Sequence, residues 1–583
     1  PPGPAGGGPA STSTAAGTSA RPGSYAPAPP AASSTGAPAS SPAASPAAVA
    51  PVVPTSSSAG ASPFSAPLAL GGLELLSMPT GFDVPLLDLA SAAAGDPPLH
   101  APSAQSSTAP GASDVTADRL PWSDPAPAPR TTISGGSHEL VPTARPALGP
   151  VSGGPLDPHL LRREFPILGE RVHGKRLVWL DNAATTQKPQ AVIDRLAYYY
   201  QHENSNIHRA AHTLAARATD AYEAARDTVA RFIGARSSRE IVFVRGTTEG
   251  INLVAQSWGR ANVGEGDEIL ISWLEHHANI VPWQQLCAAT GARLRVAPVD
   301  DTGQIIVEQY ARLLTPGKTK LVAFSQVSNA LGTITPSGEM IALAHRAGAR
   351  VLLDGAQSVS HLRTDVVALD CDFFVFSGHK VFAPTGIGAV YGKRDLLEAT
   401  PPWQGGGNMI SDVTFEHTTF QGPPARFEAG TGNIADAVGL GAALDWLARI
   451  GVEVVGAYEH GLLEYATEQL RHVPGLRMIG TAPEKAGVLS FVLAGQRTEE
   501  VGHRLDEHGI AVRSGHHCAQ PILRRFGVEA TVRASLAPYN TTDDIDCLVR
   551  ALHELQATRG HGAGADRRAP SGPPSSPFDD PSP

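Results

Sequence analysis

The stretch Asp372 to Gly388, DFFVFSGHKVFAPTGIG, decides the fold. Phe373 to Phe376 is an unbroken apolar run, as expected of a strand buried on both faces of a sheet. It leads straight into Ser377, Gly378, His379 and Lys380, so a lysine arrives at a strand end and a loop containing Pro and Gly follows. Runs of the same character stand on either side: IVFV at 241–244, EILIS at 268–272, LRVAPV at 294–299, KLVAFS at 320–325, RVLLD at 350–354 and GAVYG at 388–392. Segments between them, such as WQQLCAAT and EMIALAHRAG, have helical patterns. Ahead of them, Leu214, Ala218, Tyr222, Ala225, Val229 and Phe232 recur at helical spacing and predict a helix from Thr213 to Phe232, stopped by Gly234. Strands alternating with helices predict an α/β fold with a mostly parallel, seven-stranded sheet covered on both faces. Ligands on such sheets bind beyond the strand ends, where the connecting loops gather.

A lone lysine at a strand end is usually a surface residue whose stem lies on apolar neighbours. Three companions change that reading. RVLLDGAQ ends in Asp354 and Gln357, FVRGTTEGINL passes from strand to helix through Gly246, Thr247 and Thr248, and WLEHHANIVPW places His276 and His277 just after a strand. Hydroxyls and backbone N–H groups at a helix start form a phosphate seat. Together the groups suit pyridoxal-phosphate chemistry: a lysine for the Schiff base, a carboxylate for the pyridine nitrogen, a helix start for the phosphate and a histidine to stack on the ring. Each signal alone is weak; their occurrence at successive strand ends is not. Near the C-terminus, GIAVRSGHHCAQP carries Arg513, Ser514, His516, His517 and Cys518 in a Gly-flanked loop. Thiolate is the reactive form of cysteine, and Cys518 is the candidate nucleophile. No further Cys or His follows at zinc-site spacing, so no metal is expected. Downstream, Arg533 in TVRASLAPYN offers a planar fork for an α-carboxylate.

Composition divides the chain. Residues 1–150 hold 28 of the 51 prolines and only 12 charged residues, none of them Lys. Such a stretch cannot bury enough surface to offset its chain entropy and is expected to be disordered, as is the Gly/Pro/Ser/Asp-rich end at 560–583. One apolar island, near 64–90 and centred on Leu68 to Leu89, interrupts it and is too broken by Pro79, Gly81 and Pro85 to fold alone. A net charge of −10 argues against a nucleic-acid partner. No run approaches a membrane span, no signal segment is present, and four widely spaced cysteines match no disulfide framework, so a cytoplasmic protein is expected. Pro1 in place of Met points to a start that is trimmed or incomplete.

The motifs NIHRAAHTLAARAT, FVRGTTEGIN, EHHANIVPW, VSNALGT, DGAQS, FSGHK, FEAGTGN and RSGHHCAQP, in a match from about Leu156 to Gln556, resemble the SufS-type (group II) cysteine desulfurases of the aminotransferase class V family. The resemblance implies the aspartate aminotransferase-like fold of fold-type I pyridoxal-phosphate transferases, with a large cofactor-binding domain at 179–431 and a smaller α/β domain from 156–178 and 432–558. It implies that Lys380 carries the cofactor and moves the α-proton, that Asp354 pairs with the ring nitrogen, and that His276 stacks and serves in acid/base steps. Gln357 would meet the phenolic oxygen. Thr247, Thr248, Ser377 and His379 would hold the phosphate, with Thr431 from the other subunit of a homodimer. Asn329 and Arg533 would bind the substrate carboxylate, with Arg513 close by and His208 shaping the pocket. Gly432 stands where many relatives have Pro, a departure that would loosen its loop. The implied reaction turns L-cysteine into L-alanine and leaves sulfur on Cys518 as a persulfide, for a SufE- or SufU-like acceptor, for storage or for iron–sulfur cluster assembly. The long tail resembles that of cysteine desulfurases packaged in family 2 encapsulin nanocompartments, which implies a shell partner. A selenocysteine lyase, another class V aminotransferase and a non-catalytic sulfur-binding scaffold are the alternatives.

Overall fold

The alternating pattern becomes one sheet. A computed structural model describes residues 156–208 and 211–562, with side chains described through 557. The disordered stretch expected at 1–150, its apolar island and the end of the chain lie outside the described residues. Seven strands, β1 (Ile241–Val244), β2 (Glu268–Ser272), β3 (Arg293–Ala297), β4 (Thr319–Ser325), β5 (Arg350–Asp354), β6 (Phe373–Ser377) and β7 (Gly388–Gly392), stand in the order β1-β7-β6-β5-β4-β2-β3. Only β7 runs antiparallel to its neighbours β1 and β6; the other pairings are parallel. The pleat explains the apolar runs. Ile241, Phe243, Leu270, Phe324, Leu353, Phe374 and Phe376 face one core, while Val242, Val244, Ile271, Leu352, Phe373 and Val375 face another, so neither side of the strand meets water. The third strand stops at Ala297, short of the expected Val299; beyond it the Pro298 carbonyl accepts from Ile306 N at 3.1 Å.

The helix Thr213–Phe232 forms as read, with Ala218, Tyr222, Ala225 and Val229 buried. Helix Ile434–Ile450, assigned from sequence to the smaller domain, contributes its buried side to the main core against Thr213–Phe232. Its Ala and Gly face permits the approach: a Cβ on Gly441 would lie 3.0 Å from Ala225 Cα. A second sheet, all antiparallel, has the order β8-β9-β11-β10, made of β8 (Leu476–Ile479), β9 (Val488–Leu493), β10 (Arg513–Gly515) and β11 (Thr531–Ser535). Leu489, Phe491, Val532 and Ala534 pack there with Leu462, Leu463 and Ala466 of helix Val452–Arg471. Among the described residues no helix is long and apolar enough to cross a membrane.

The register aligns the functional ends. Ser325 pairs with Asp354, Ser377 with Gly388, and Gly388 with Val244, so the ends of β4, β5, β6 and β1 finish side by side. Gly388 makes this possible, since a Cβ there would stand 2.4 Å from Phe376 O and 2.7 Å from Gly246 Cα. Both contacts are backbone, which has no rotamer to yield. Gly388→Ala is expected to destabilise the protein by about 1–3 kcal/mol, read as a lower urea midpoint; an unchanged midpoint would show that the strand ends tolerate separation.

Candidate active site

Beyond those strand ends lies a cavity of about 220 Å³. Twelve of the residues singled out in the sequence line it: Thr247, Thr248, His276, Asn329, Asp354, Gln357, Ser377, His379, Lys380, Arg513, Cys518 and Arg533. They come from both sheets. A short turn, Gly378–Lys380, follows β6 and delivers the lysine. Its carbonyl at His379 accepts from Thr186 N at 3.0 Å, Thr185 Oγ1 at 3.0 Å and Lys188 Nζ at 3.3 Å. Burial lowers the Lys380 ammonium to about 8, against the pull of Asp354 and with the push of Arg533 and Arg513. Burial also raises the Asp354 carboxyl, which the Ala356 N–H at 2.9 Å and Lys380 oppose. At the helix start expected to seat a phosphate, Ser377 Oγ accepts from Thr247 N at 2.8 Å and stands 2.9 Å from Thr247 Oγ1. The preceding Gly246 has φ 155°, and a Cβ there would lie 3.0 Å from Ser377 Oγ.

His276 Nδ1 accepts the Ala278 N–H at 3.0 Å, so the neutral ring carries its proton on Nε2. Burial, with Lys380 nearby, lowers it to about 3. Gln357 Nε2 donates to Ala183 O at 2.6 Å. On the other wall, Asn329 Nδ2 donates to His517 O at 2.7 Å and Arg533 Nη1 to Asn329 O at 2.9 Å. Cys518 is half-buried, its backbone held by His277 N on its carbonyl at 2.7 Å and by His516 Nδ1, which accepts its N–H at 3.0 Å. The two neighbouring histidines separate: His517 is buried with Nε2 2.8 Å from Thr531 Oγ1, while His516 stays with the cysteine.

Two predicted residues stand apart from the cavity lining. His208 meets Asn408 Oδ1 at 3.0 Å and Glu223 Oε1 at 3.2 Å, and Thr431 is exposed. His277, His516 and Cys518 offer ligand atoms within 4.8 Å of one another, a cluster that sequence spacing did not reveal. Each ring already spends one nitrogen accepting a backbone N–H, from Gln520 or Cys518, whereas a metal-bound imidazole donates from its outer nitrogen. Sequence reading also missed Glu275. It is fully buried beneath the site, accepts from Ser272 Oγ, from Asn279 Nδ2 at 2.6 Å and from Ser325 Oγ at 2.8 Å, and is pushed up to about 7 by burial. A glutamate beside two histidines gave no periodic signal of that position.

The residues fit pyridoxal phosphate on a structural observation. Three atoms of residues lining the cavity are buried without a partner: Asn329 Oδ1, Arg533 Nε and His517 Nδ1. Buried polar atoms left unpaired are costly, so their concentration here marks a place built for a polar ligand. A buried amine, a buried carboxylate and a hydroxyl-lined helix start around one cavity define a pyridoxal-phosphate enzyme of the α/β type.

Residues 178–548 match the family Aminotransferase class-V. The chain is 69% identical over 400 residues to "Cysteine desulfurase" of Synechococcus elongatus, a match covering 69% of this chain and 64% of that protein. It is 52% identical over 401 residues to "Cysteine desulfurase" of Klebsiella pneumoniae, covering 69% of this chain and 98% of the relative. The crystal structure of the cysteine desulfurase CsdA (S-sulfonic acid) from Escherichia coli superposes with a TM-score of 0.65 at 41% identity, covering 70% of this chain and 100% of that one. The chain therefore belongs to the aminotransferase class V family, and its cofactor is pyridoxal phosphate.

The buried histidines set an acid limit. Burial lowers His276 and His517 to about 3 and His379 to about 4, against 6.5 for an exposed imidazole. Between these values the unfolded chain binds more protons, so stability is fully present above 6.5 and is lost as pH falls toward the folded values. The apoprotein is expected to show a lower urea midpoint at about pH 5 than at about pH 7, and His517→Asn to reduce that difference by removing one such group. An equal drop in both proteins would count against a neutral, buried His517.

Proposed function

We propose that the protein is a SufS-type (group II) cysteine desulfurase that converts L-cysteine to L-alanine and receives the sulfur on Cys518 as a persulfide. The observation that carries the reading is the meeting of Lys380, Asp354 and Cys518 at one cavity. Relatives named cysteine desulfurase support the desulfurase part of the reading.

Bound pyridoxal phosphate supplies an electron-withdrawing ring that accepts the charge left by a departing α-proton. Lys380 would hold it, Asp354 would keep the ring nitrogen's proton in place, and Thr247, Thr248, Ser377 and His379 would seat the phosphate. Gln357 and His276 would fix the ring's tilt. An amine lowered to about 8 has an appreciable neutral fraction, so Lys380 Nζ can take the α-proton of the substrate. Arg533 and Asn329 would orient the substrate carboxylate, leaving the substrate sulfur toward Cys518. The Cys518 thiolate attacks that sulfur, an S–S bond forms, the substrate's C–S bond breaks and its electron pair stays with carbon. That carbon takes a proton, for which His276 Nε2–H is a donor at hand, Lys380 Nζ gives its proton back to the α-carbon, and alanine leaves. The half-exposed cysteine can then present its persulfide to a SufE- or SufU-like acceptor, for storage or for iron–sulfur cluster assembly.

The reading extends to a homodimer in which Thr431 of one chain completes the phosphate site of the other. It extends also to the tail. A segment so rich in Pro, Ala and Ser would serve as a tether, and the apolar island at Leu68 to Leu89 would dock on a partner wall, as expected of cargo inside an encapsulin shell in the cytoplasm.

Lys380→Ala is expected to abolish the visible absorbance of bound cofactor. Cys518→Ala is expected to keep that absorbance and stop sulfide release from L-cysteine; full activity in this variant would sink the persulfide step. For the tail, deletion of residues 61–95 is expected to abolish co-purification with the co-expressed shell protein. Undiminished co-purification would contradict docking through the island.

A further inference from the structure

We propose that Lys188 is the counter-charge of the cofactor's phosphate: it stands behind the turn that carries His379 and Lys380 and supplies a positive charge that the phosphate seat itself lacks. The inference rests on the assignment of that seat to Thr247, Thr248, Ser377 and His379, and adds to it a residue outside the cavity lining. It begins from a lysine whose placement has no local explanation. Lys188 is half-buried, and its Nζ donates to Thr186 O, to His379 O at 3.3 Å and to Thr185 Oγ1 at 3.5 Å. All three acceptors are neutral. Burial lowers the ammonium to about 8, and among the described residues no carboxylate pulls it back up. Hydrogen bonding does not account for it. His379 O already accepts from Thr186 N at 3.0 Å, Thr185 Oγ1 at 3.0 Å and Thr186 Oγ1 at 3.2 Å, more donors than a carbonyl has lone pairs. Nor does the next helix, Gln190–His202: Lys188 precedes its N-cap, Pro189, and a helix N-terminus disfavours a cation. What Lys188 adds is charge.

The seat needs that charge. A phosphate monoester carries about −1.5 to −2 charges at pH 7, whereas a helix start such as that of Thr247–Val254 supplies the equivalent of about +0.5. Thr247, Thr248 and Ser377 are uncharged. His379 is kept neutral, at about 4, by burial and by the charges of Lys380 and Lys188, so the field of Lys188 reaches that ring. The other cations nearby are committed. Lys380 is the point of attachment and its charge is set against Asp354. Arg245 Nε pairs with Glu249 Oε1 at 3.2 Å, and Arg513 and Arg533 share Asp181. Of these cations Lys188 is the one without a counter-ion. It touches no reacting atom and is a positioning residue.

The test compares binding of pyridoxal 5′-phosphate and of pyridoxal, which lacks the phosphate, to the apoprotein, followed by visible absorbance. Lys188→Gln keeps an N–H donor and removes the charge. The preference for the phosphorylated compound, read as the ratio of the two Kd values, is expected to fall by at least about tenfold with the affinity for pyridoxal unchanged. Lys188→Arg keeps the charge and is expected to hold the ratio within about threefold of that of the unaltered protein. Equal losses for both compounds in Lys188→Gln, an unmoved ratio there, or the same fall in Lys188→Arg overturns the assignment. The 31P resonance of the unaltered holoenzyme serves should the Gln variant fold poorly: the bound phosphate is expected to titrate below the free ester's value of about 6, and titration at or above it overturns the counter-charge. The double variant Thr248→Val, Ser377→Ala separates the two readings. An unmoved ratio in it sinks the seat itself, whereas a fall there with an unmoved ratio in Lys188→Gln sinks only the role of Lys188.

Discussion

Complete burial of an amine governs the site. Enclosure lowers the Lys380 ammonium, the neighbouring Asp354 carboxylate pulls it back up, and the arginines push it down again, with the balance at about 8. Neither partner could be placed this way on a flexible loop, since removing a charge from water is expensive unless its compensating group is fixed. The sheet supplies the fixation. Asp354 ends β5 and Ser377 ends the adjacent β6, so the carboxylate and the lysine turn are delivered by two hydrogen-bonded neighbours. Gly388 and Gly246 then let β7 and the helix start at Thr247 close in without a Cβ between them.

Much of this was legible because both faces of the strands are buried. A strand that must be apolar at every position stands out from its loops, and the runs at 241–244, 268–272, 350–354 and 388–392 coincide with strands β1, β2, β5 and β7. Site residues at strand ends inherit that visibility, as Lys380, Asp354 and the Thr247–Thr248 pair do. Residues whose surroundings are assembled from distant parts do not. Asp181 lies beside the two-residue strand Val178–Trp179, and its partners are Arg513 and Arg533, more than 300 positions away in the chain. Lys188, lowered to about 8 by burial, reads as an ordinary surface lysine until its contact with His379 O is known. Glu275 is hidden for the opposite reason: a buried carboxylate met by three donors breaks the usual preference of glutamate for water.

The cysteine loop carries the remaining constraint. His517 and Cys518 both adopt left-handed backbone, at φ 52° and 54°, a conformation that L residues other than Gly enter at a cost of about 1–2 kcal/mol each. Two such residues in succession persist only where the surroundings determine them. Here Asn329 takes the His517 carbonyl, His277 N takes the Cys518 carbonyl, and Thr531 anchors the His517 ring. These anchors come from β11, from the loop after β4 and from the loop after β2. The strain thus ties the thiol-bearing loop of one sheet to strand-end loops of the other, and the same Asn329 receives the Arg533 guanidinium on its own carbonyl. A substrate carboxylate that engages Arg533 and Asn329 therefore acts on the residues that hold the cysteine loop in its unfavourable conformation. In the proposed reaction, substrate binding and presentation of Cys518 would be coupled through the single residue Asn329, whose side chain holds His517 and whose backbone carbonyl holds Arg533, and this would let a half-exposed cysteine belong both to the cavity and to the solvent side.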